Sequence, residues 1–202
     1  VMSMPGMMST FLNVGLNDEI TEILGKNEKY SWGAWDCYRR LIQSWAMSHG
    51  VDRDLFDEAI QNAKERYGVE KKMEFQPAHM REIAYQYKEI MADHSISLIQ
   101  QPFEQLVRAV QIVLESWFAQ RAEDYRQHLG IADQWGTSVI VQRMVFGNLN
   151  QRSGSGVIMT RSPRDSEASF DLYGDYNICS QGEDLVSGLV NPLPITVSQQ
   201  QL

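Results

Sequence analysis

Thr137-Ser138-Val139-Ile140-Val141-Gln142-Arg143-Met144-Val145 is the stretch on which the fold class turns. It is dense in β-branched residues and bounded by Gly136 and Gly147, which predicts a strand. The residues before it keep a different period. After Pro102, Phe103, Leu106, Val107, Val110, Val113, Leu114, Trp117 and Phe118 recur at spacings of three and four, and the pattern runs on through Ala122 and Tyr125 to Gly130. That spacing predicts one long helix. A helical period thus gives way to a strand, and the chain on either side follows suit.

Upstream, three blocks carry helical spacing: Ile20, Ile23 and Leu24; Trp35, Tyr38, Leu41, Ile42 and Trp45; Leu55, Phe56, Ala59, Ile60, Ala63 and Tyr67. Asp52 is placed to cap the third block, and Gly50 and Gly68 stand where left-handed residues end helices. A fourth helix starts near Pro77 and carries Met80, Ile83, Ala84, Tyr87, Ile90 and Met91 on one stripe. Downstream, Gly156-Val157-Ile158-Met159-Thr160 and Phe170-Asp171-Leu172-Tyr173 read as short strands around a turn-rich 161–169. The fold class is therefore α+β, with too few strands for a sheet to stand comfortably alone. The sequence starts at Val1 beside a motif and ends in a proline- and glutamine-rich tail, which reads as a fragment.

The chain has 202 residues, 43% hydrophobic and 22% charged, enough to bury one sizeable core. Its net charge of −8 opposes a polyanionic partner, so nucleic acid is excluded as a first reading. No apolar run approaches the roughly 20 residues that cross a bilayer, and no membrane partner is expected. Cys37 and Cys179 are the only cysteines, too few for a disulfide framework or thiolate metal cage. A reducing, cytoplasmic compartment is the default expectation.

Three glycine-bearing stretches could bring backbone N–H groups close to an anion: residues 3–8, Ser153-Gly154-Ser155-Gly156, and Gln181-Gly182-Glu183-Asp184. Each can equally be a plain turn. Arg40 offers a planar fork that matches phosphate, or simply lies on the solvated face of a helix. Met8 can be core filler, and Asp175, Glu183 and Asp184 surface charge. Arg152, Arg161 and Arg164 lie near the second glycine stretch. His49, His79, His94 and His128 are assigned no chemistry.

Met4-Pro5-Gly6-Met7-Met8 followed by Leu12-Asn13-Val14-Gly15-Leu16-Asn17-Asp18 resembles the signature of the nucleotide-binding domain of the pyruvate, phosphate dikinase family. Further stretches resemble it in the same order: Asp36-Cys37-Tyr38-Arg39-Arg40, Trp135-Gly136-Thr137-Ser138-Val139, Val141-Gln142-Arg143-Met144-Val145-Phe146-Gly147-Asn148, Ser153-Gly154-Ser155-Gly156-Val157, Thr160-Arg161-Ser162-Pro163, Tyr173-Gly174-Asp175-Tyr176 and Gln181-Gly182-Glu183-Asp184. The likeness is close over residues 3–18, 34–42 and 102–195 and loose over 43–101. The Met-Pro-Gly-Met-Met form favours the phosphate-using family over the related pyruvate, water dikinases, whose loop differs.

The resemblance implies a partial ATP-grasp nucleotide-binding domain with a helical insertion. Residues 1–16 would form a nucleotide-site loop, 17–101 the helical subdomain, and 102–202 a helix and the strand-rich part of the lobes. It further implies ATP and Mg2+ as cofactors, inorganic phosphate as a partner, and phosphohistidine and pyruvate-binding domains on the same polypeptide, with a homodimer formed through those missing domains. In such an enzyme ATP, phosphate and pyruvate become AMP, pyrophosphate and phosphoenolpyruvate through the phosphohistidine, so the nucleotide domain chiefly positions and neutralises charge.

Carried over from the family, Gly6 and Met8 border the nucleotide, Gln142 and Met144 run beside the adenine, and Ser155 and Gly156 cradle phosphate. Arg40 would contact phosphate, Asp175 would be an acidic site residue, and Glu183 and Asp184 would close the pocket. No metal ligand is assigned. Ser9 stands where the family has aspartate, Asp175 where it has glutamate, Ser155 where threonine is usual, and Arg164 where serine is common. The family's ATP-contacting lysine and an arginine would lie before Val1, and its magnesium-binding acids after Leu202, so this chain alone is expected to be inactive. A water-dependent relative and a non-catalytic nucleotide-binding or interaction module are the alternatives.

Overall fold

The computed structural model describes residues 4, 6–160, 172–188 and 190–195. Helix α1 (Asp18–Gly25) starts where the Asn17 side chain accepts from the Ile20 N–H at 2.7 Å, and leads into the long α2 (Ser31–Ser48). Helix α3 (Arg53–Tyr67) is capped as expected: Asp52 accepts from the Asp54 N–H, and Gly68 ends the helix at φ 64°. Helix α4 (Pro77–Asp93) opens with its proline in the first turn, where no N–H is missed.

The core lies between α2 and α4, closed over by α3. Trp35, Tyr38, Leu41, Ile42, Trp45 and Ala46 of α2 meet Met80, Ile83, Ala84, Tyr87 and Met91 of α4. Phe56 of α3 packs on Tyr87 at 4.8 Å between rings, and the Tyr87 hydroxyl donates to the Phe56 carbonyl. Their apolar stripes account for these contacts. Less expected is the burial of two charged residues of the same helix, Asp36 away from the core and Arg39 beside Tyr87.

The single long helix after Pro102 is two helices, α5 (Pro102–Glu115) and α6 (Gln120–Leu129), joined by a 3-10 turn at Ser116–Phe118. The break has a local cause. The Ser116 hydroxyl donates back to the Val113 carbonyl, Ala119 is extended, and Trp117 turns inward to donate to the Asp133 carbonyl. Arg126 stacks 4.2 Å over the Trp117 ring and donates to its carbonyl, which an unbroken helix would give to residue 121.

Residues 137–145 are not a strand. They run without ladder partners among the described residues, and Ile140, Val141 and Val145 are 84%, 66% and 93% exposed. β propensity measures fit to a pleated, half-buried surface, and it makes no strand without a neighbour to bond. The sheet is smaller: β1 (Gly154–Met159), β2 (Tyr173–Ile178) and β3 (Leu193–Pro194), antiparallel in the order β1-β2-β3. Of the strand expected at 170–173, residues 170 and 171 lie outside the described residues, and β2 begins at Tyr173. Between β2 and β3 runs the short α7 (Gly182–Val186). The α+β class stands, and no helix among the described residues is long and apolar enough to cross a membrane.

Candidate nucleotide site

Asp36 and Arg40 lie one turn apart on the side of α2 that faces away from the core, and Asp36 is completely buried. One carboxylate oxygen accepts from Arg39 Nη2 at 2.8 Å and Nε at 3.3 Å. The other accepts from Arg40 Nε at 3.0 Å and Asn148 Nδ2 at 2.7 Å. Lys72, from the 3-10 turn Lys72–Glu74, brings its ammonium to 3.4 Å. Asp36 is the hub of a buried polar cluster.

From this hub two arms reach the turn at 181–184. Arg40 Nη1 and Nη2 grip the two oxygens of Asp184 at 2.8 and 2.6 Å, a bidentate pair. At the other end, Asn148 Oδ1 accepts from Gln181 Nε2 at 3.3 Å, and that amide also donates to Asn13 Oδ1 at 3.1 Å and Cys37 Sγ at 3.3 Å. The Asn13 N–H in turn donates to Met144 Sδ at 3.0 Å. Gly147 is wedged into the same place: a Cβ on it would lie 2.1 Å from Ser155 Oγ and 2.4 Å from the Ser180 carbonyl.

The charges set the titration. Burial pushes the Asp36 carboxyl up, but the Arg40, Lys72 and Arg39 charges together hold it well below the usual carboxylate range. Asp184 follows the same balance, burial opposed by the Arg40 pair, and is lowered. Lys72 is lowered because burial and the two arginines outweigh Asp36. Burial, then the Asp36 charge, pushes the Cys37 thiol up to about 12, which makes it a packed, unreactive group.

Helix α2, the 13–16 loop, the 144–148 segment and the 181–184 turn therefore meet at one cluster, and these are segments that carry family-like motifs. Across residues 1–202 the sequence matches the family described as "Pyruvate phosphate dikinase, AMP/ATP-binding domain". The chain belongs to that family. Among curated relatives, pyruvate, phosphate dikinase of Rhizobium meliloti (strain 1021) is 41% identical over 196 residues, 96% of this chain and 22% of the relative. That of Clostridium symbiosum is 40% identical over 197 residues, and that of Rickettsia bellii (strain RML369-C) 39% over 196, each with the same shares covered. The chain spans about a fifth of the length of the curated relatives it matches.

In this AMP/ATP-binding domain the expected site residues fall into groups. Arg40 and Asp184 are brought together, but facing each other. Three of the five N–H donors of Arg40 are spent on Asp36 and Asp184, and its side chain is 9% exposed, so it is no solvated helix residue. Glu183 next door is exposed. Ser155 donates its hydroxyl to the Ser180 carbonyl at 2.8 Å, tying β1 to the same turn. Gly156 belongs to β1 rather than a loop, where a Cβ would crowd the Asp175 carbonyl at 3.0 Å. Asp175 is half-buried on β2, opposite Val157.

Among the described residues, Gly6, Met8 and Gln142 make no hydrogen bond to this turn, and Met144 reaches it only through Asn13. Gly6 is exposed at φ 71°, and Met8 sits 3.8 Å from the Ser116 hydroxyl, lining a hollow of about 160 Å³ with Met4, Trp117, Ile131 and Trp135. Gln142 is exposed and Met144 is half-buried against Asn13. Arg161 and Arg164 lie outside the described residues. Sequence reasoning missed Asp36, Asn148, Gln181, Asn13 and Lys72 as site residues. The first four stood inside the quoted motifs, and the i, i+4 spacing of Asp36 and Arg40 was the available signal.

Proposed function

We propose that the chain is ATP-binding machinery of a pyruvate, phosphate dikinase-like phosphotransferase, built as part of an ATP-grasp nucleotide site. The observation that carries this is the convergence of four motif-bearing segments on the buried cluster around Asp36. Phosphoryl transfer asks a protein for positioned donors and neutralised charge more than for covalent chemistry. A network that pins β1, the 144–148 segment and the 181–184 turn to one helix meets the first demand, and three cations against two carboxylates contribute to the second.

In this reading the ATP phosphates lie against Ser155, Gly156 and Glu183, with Arg40 and Asp184 behind them as support. Gly6, Met8, Gln142 and Met144 border the nucleotide, and Asp175 stands on the neighbouring strand. The whole enzyme would convert ATP, inorganic phosphate and pyruvate to AMP, pyrophosphate and phosphoenolpyruvate through a phosphohistidine on another domain. Mg2+ commonly rides on the substrate's phosphates with one or two carboxylates. Glu183 is the exposed carboxylate here, Asp184 being held by Arg40, and no group of three or more acidic, histidine or cysteine side chains suited to a metal occurs among the described residues.

Calorimetric titration of the full-length protein with ATP and Mg2+ tests the reading, followed by turnover with and without inorganic phosphate. Binding with phosphate-dependent turnover is expected. Turnover without phosphate would assign the water-dependent relative, and binding without any phosphohistidine a non-catalytic module.

A further inference from the structure

We infer that Asp36 is a positioning residue for the phosphate-facing turn 181–184, holding one end through Arg40 and the other through Asn148. The inference rests on the nucleotide reading above and adds to it a residue that touches no nucleotide. Asp36 is wholly buried, so its negative charge is sheltered from solvent and acts on what surrounds it. One of its oxygens takes both arms, Arg40 Nε at 3.0 Å and Asn148 Nδ2 at 2.7 Å. The arms then end on different residues of the turn, Arg40 on both oxygens of Asp184 and Asn148 on the side-chain amide of Gln181. Asp184 also accepts from the Gln181 N–H, which closes the loop of contacts within the turn itself.

The geometry is that of a brace. The two contacts, three residues apart, act together with the Gln181–Asn13 bond to fix the orientation of the turn. Charge is essential to it, because both arms present donors to the same oxygen. An amide in place of the carboxylate has one oxygen for all of Arg39, Arg40 and Asn148, and its NH2 group would face a donor. The second oxygen is meanwhile held by Arg39, which also donates to the Tyr87 hydroxyl on the core side, so the brace is anchored in the packed interior. Preorganisation of this kind lowers the ordering cost of binding at the turn without any contact to the ligand.

The test compares ATP with adenosine, which has no phosphates, in the full-length protein. Asp36→Asn is expected to weaken ATP binding about tenfold, in line with loss of one charge-assisted contact, while adenosine affinity stays within about twofold. Gln181→Leu and Asp184→Asn, which cut one arm each without removing Asp36, are expected to shift the same ratio by smaller factors, and they decide the matter if Asp36→Asn does not fold. Equal losses for ATP and adenosine, or an unchanged ATP affinity in folded variants, would overturn the positioning role. Absence of ATP binding in the unsubstituted protein would instead overturn the nucleotide reading.

Discussion

Arg40 and Asp184, 144 residues apart in sequence, meet in a bidentate ion pair at 2.6 and 2.8 Å with both side chains less than a tenth exposed. The pair fastens the turn after β2 to the helix that also builds the core. Its partners matter because a charge left behind in the interior is costly.

Asp184→Ala strands part of the Arg40 guanidinium. The expected loss is about 3 kcal/mol of unfolding free energy, the usual scale for breaking a buried pair by removing one partner. Denaturant titration of the variant against the parent checks it, and a change within experimental scatter would mean that the pair is solvated in solution.

Acid should find the same cluster. The folded-state pKa values of Asp36 and Asp184 lie below the ordinary 3.8. Their contribution is therefore full above that value and is lost as pH falls through it toward the depressed folded values, where the unfolded chain binds protons first. The melting midpoint should be level from neutral pH down to about pH 5 and fall below about pH 4. Asp184→Asn should show a lower plateau and a shallower acid fall.

Cys37 and Cys179 are both buried, and the thiols of both are pushed up by burial and then by the Asp36 charge. Neither should react with a chromogenic disulfide reagent at mildly alkaline pH in the folded protein, and both should react at once in denaturant. Rapid native labelling of Cys37 would contradict the packing of α2 on Asn148.

At Gly147 there is no room for a methyl group. A Cβ there would meet the backbone carbonyls of Ser180 and Gly154 at 2.4 and 2.8 Å, neither of which can swing aside as a side chain could. Gly147→Ala should cost about 2 kcal/mol or more, the scale of overpacking, and trimming Ser155 to glycine in the same chain should not restore it. Thermal unfolding of both variants gives the answer.

Much of the helical half was legible because its signals are local. Asp52, Gly68 and Pro77 act within a turn of where they stand, and the stripes of α2 and α4 need only periodicity to be read. The kink at 116–119 was not legible, since it depends on Trp117 being drawn to Asp133 and Arg126, contacts that spacing does not encode. Residues 137–145 failed for a related reason: strand composition states a fitness for pairing, not the presence of a partner. At the candidate site, the residue types that could bind phosphate were visible, but their mutual engagement was not. The family pattern points each of Arg40 and Asp184 at a ligand, and the fold turns them toward one another. Spacing alone does not mark Asp36, because an acid on an amphipathic helix ordinarily faces water, and only its complete burial shows otherwise.

Hydrogen exchange of the full-length protein, with and without ATP and Mg2+, tests the central claim most directly. Peptides covering 153–156 and 181–184 should gain protection when nucleotide is bound, with adenosine producing little of that gain. Saturating ATP that leaves both peptides unchanged would contradict the account.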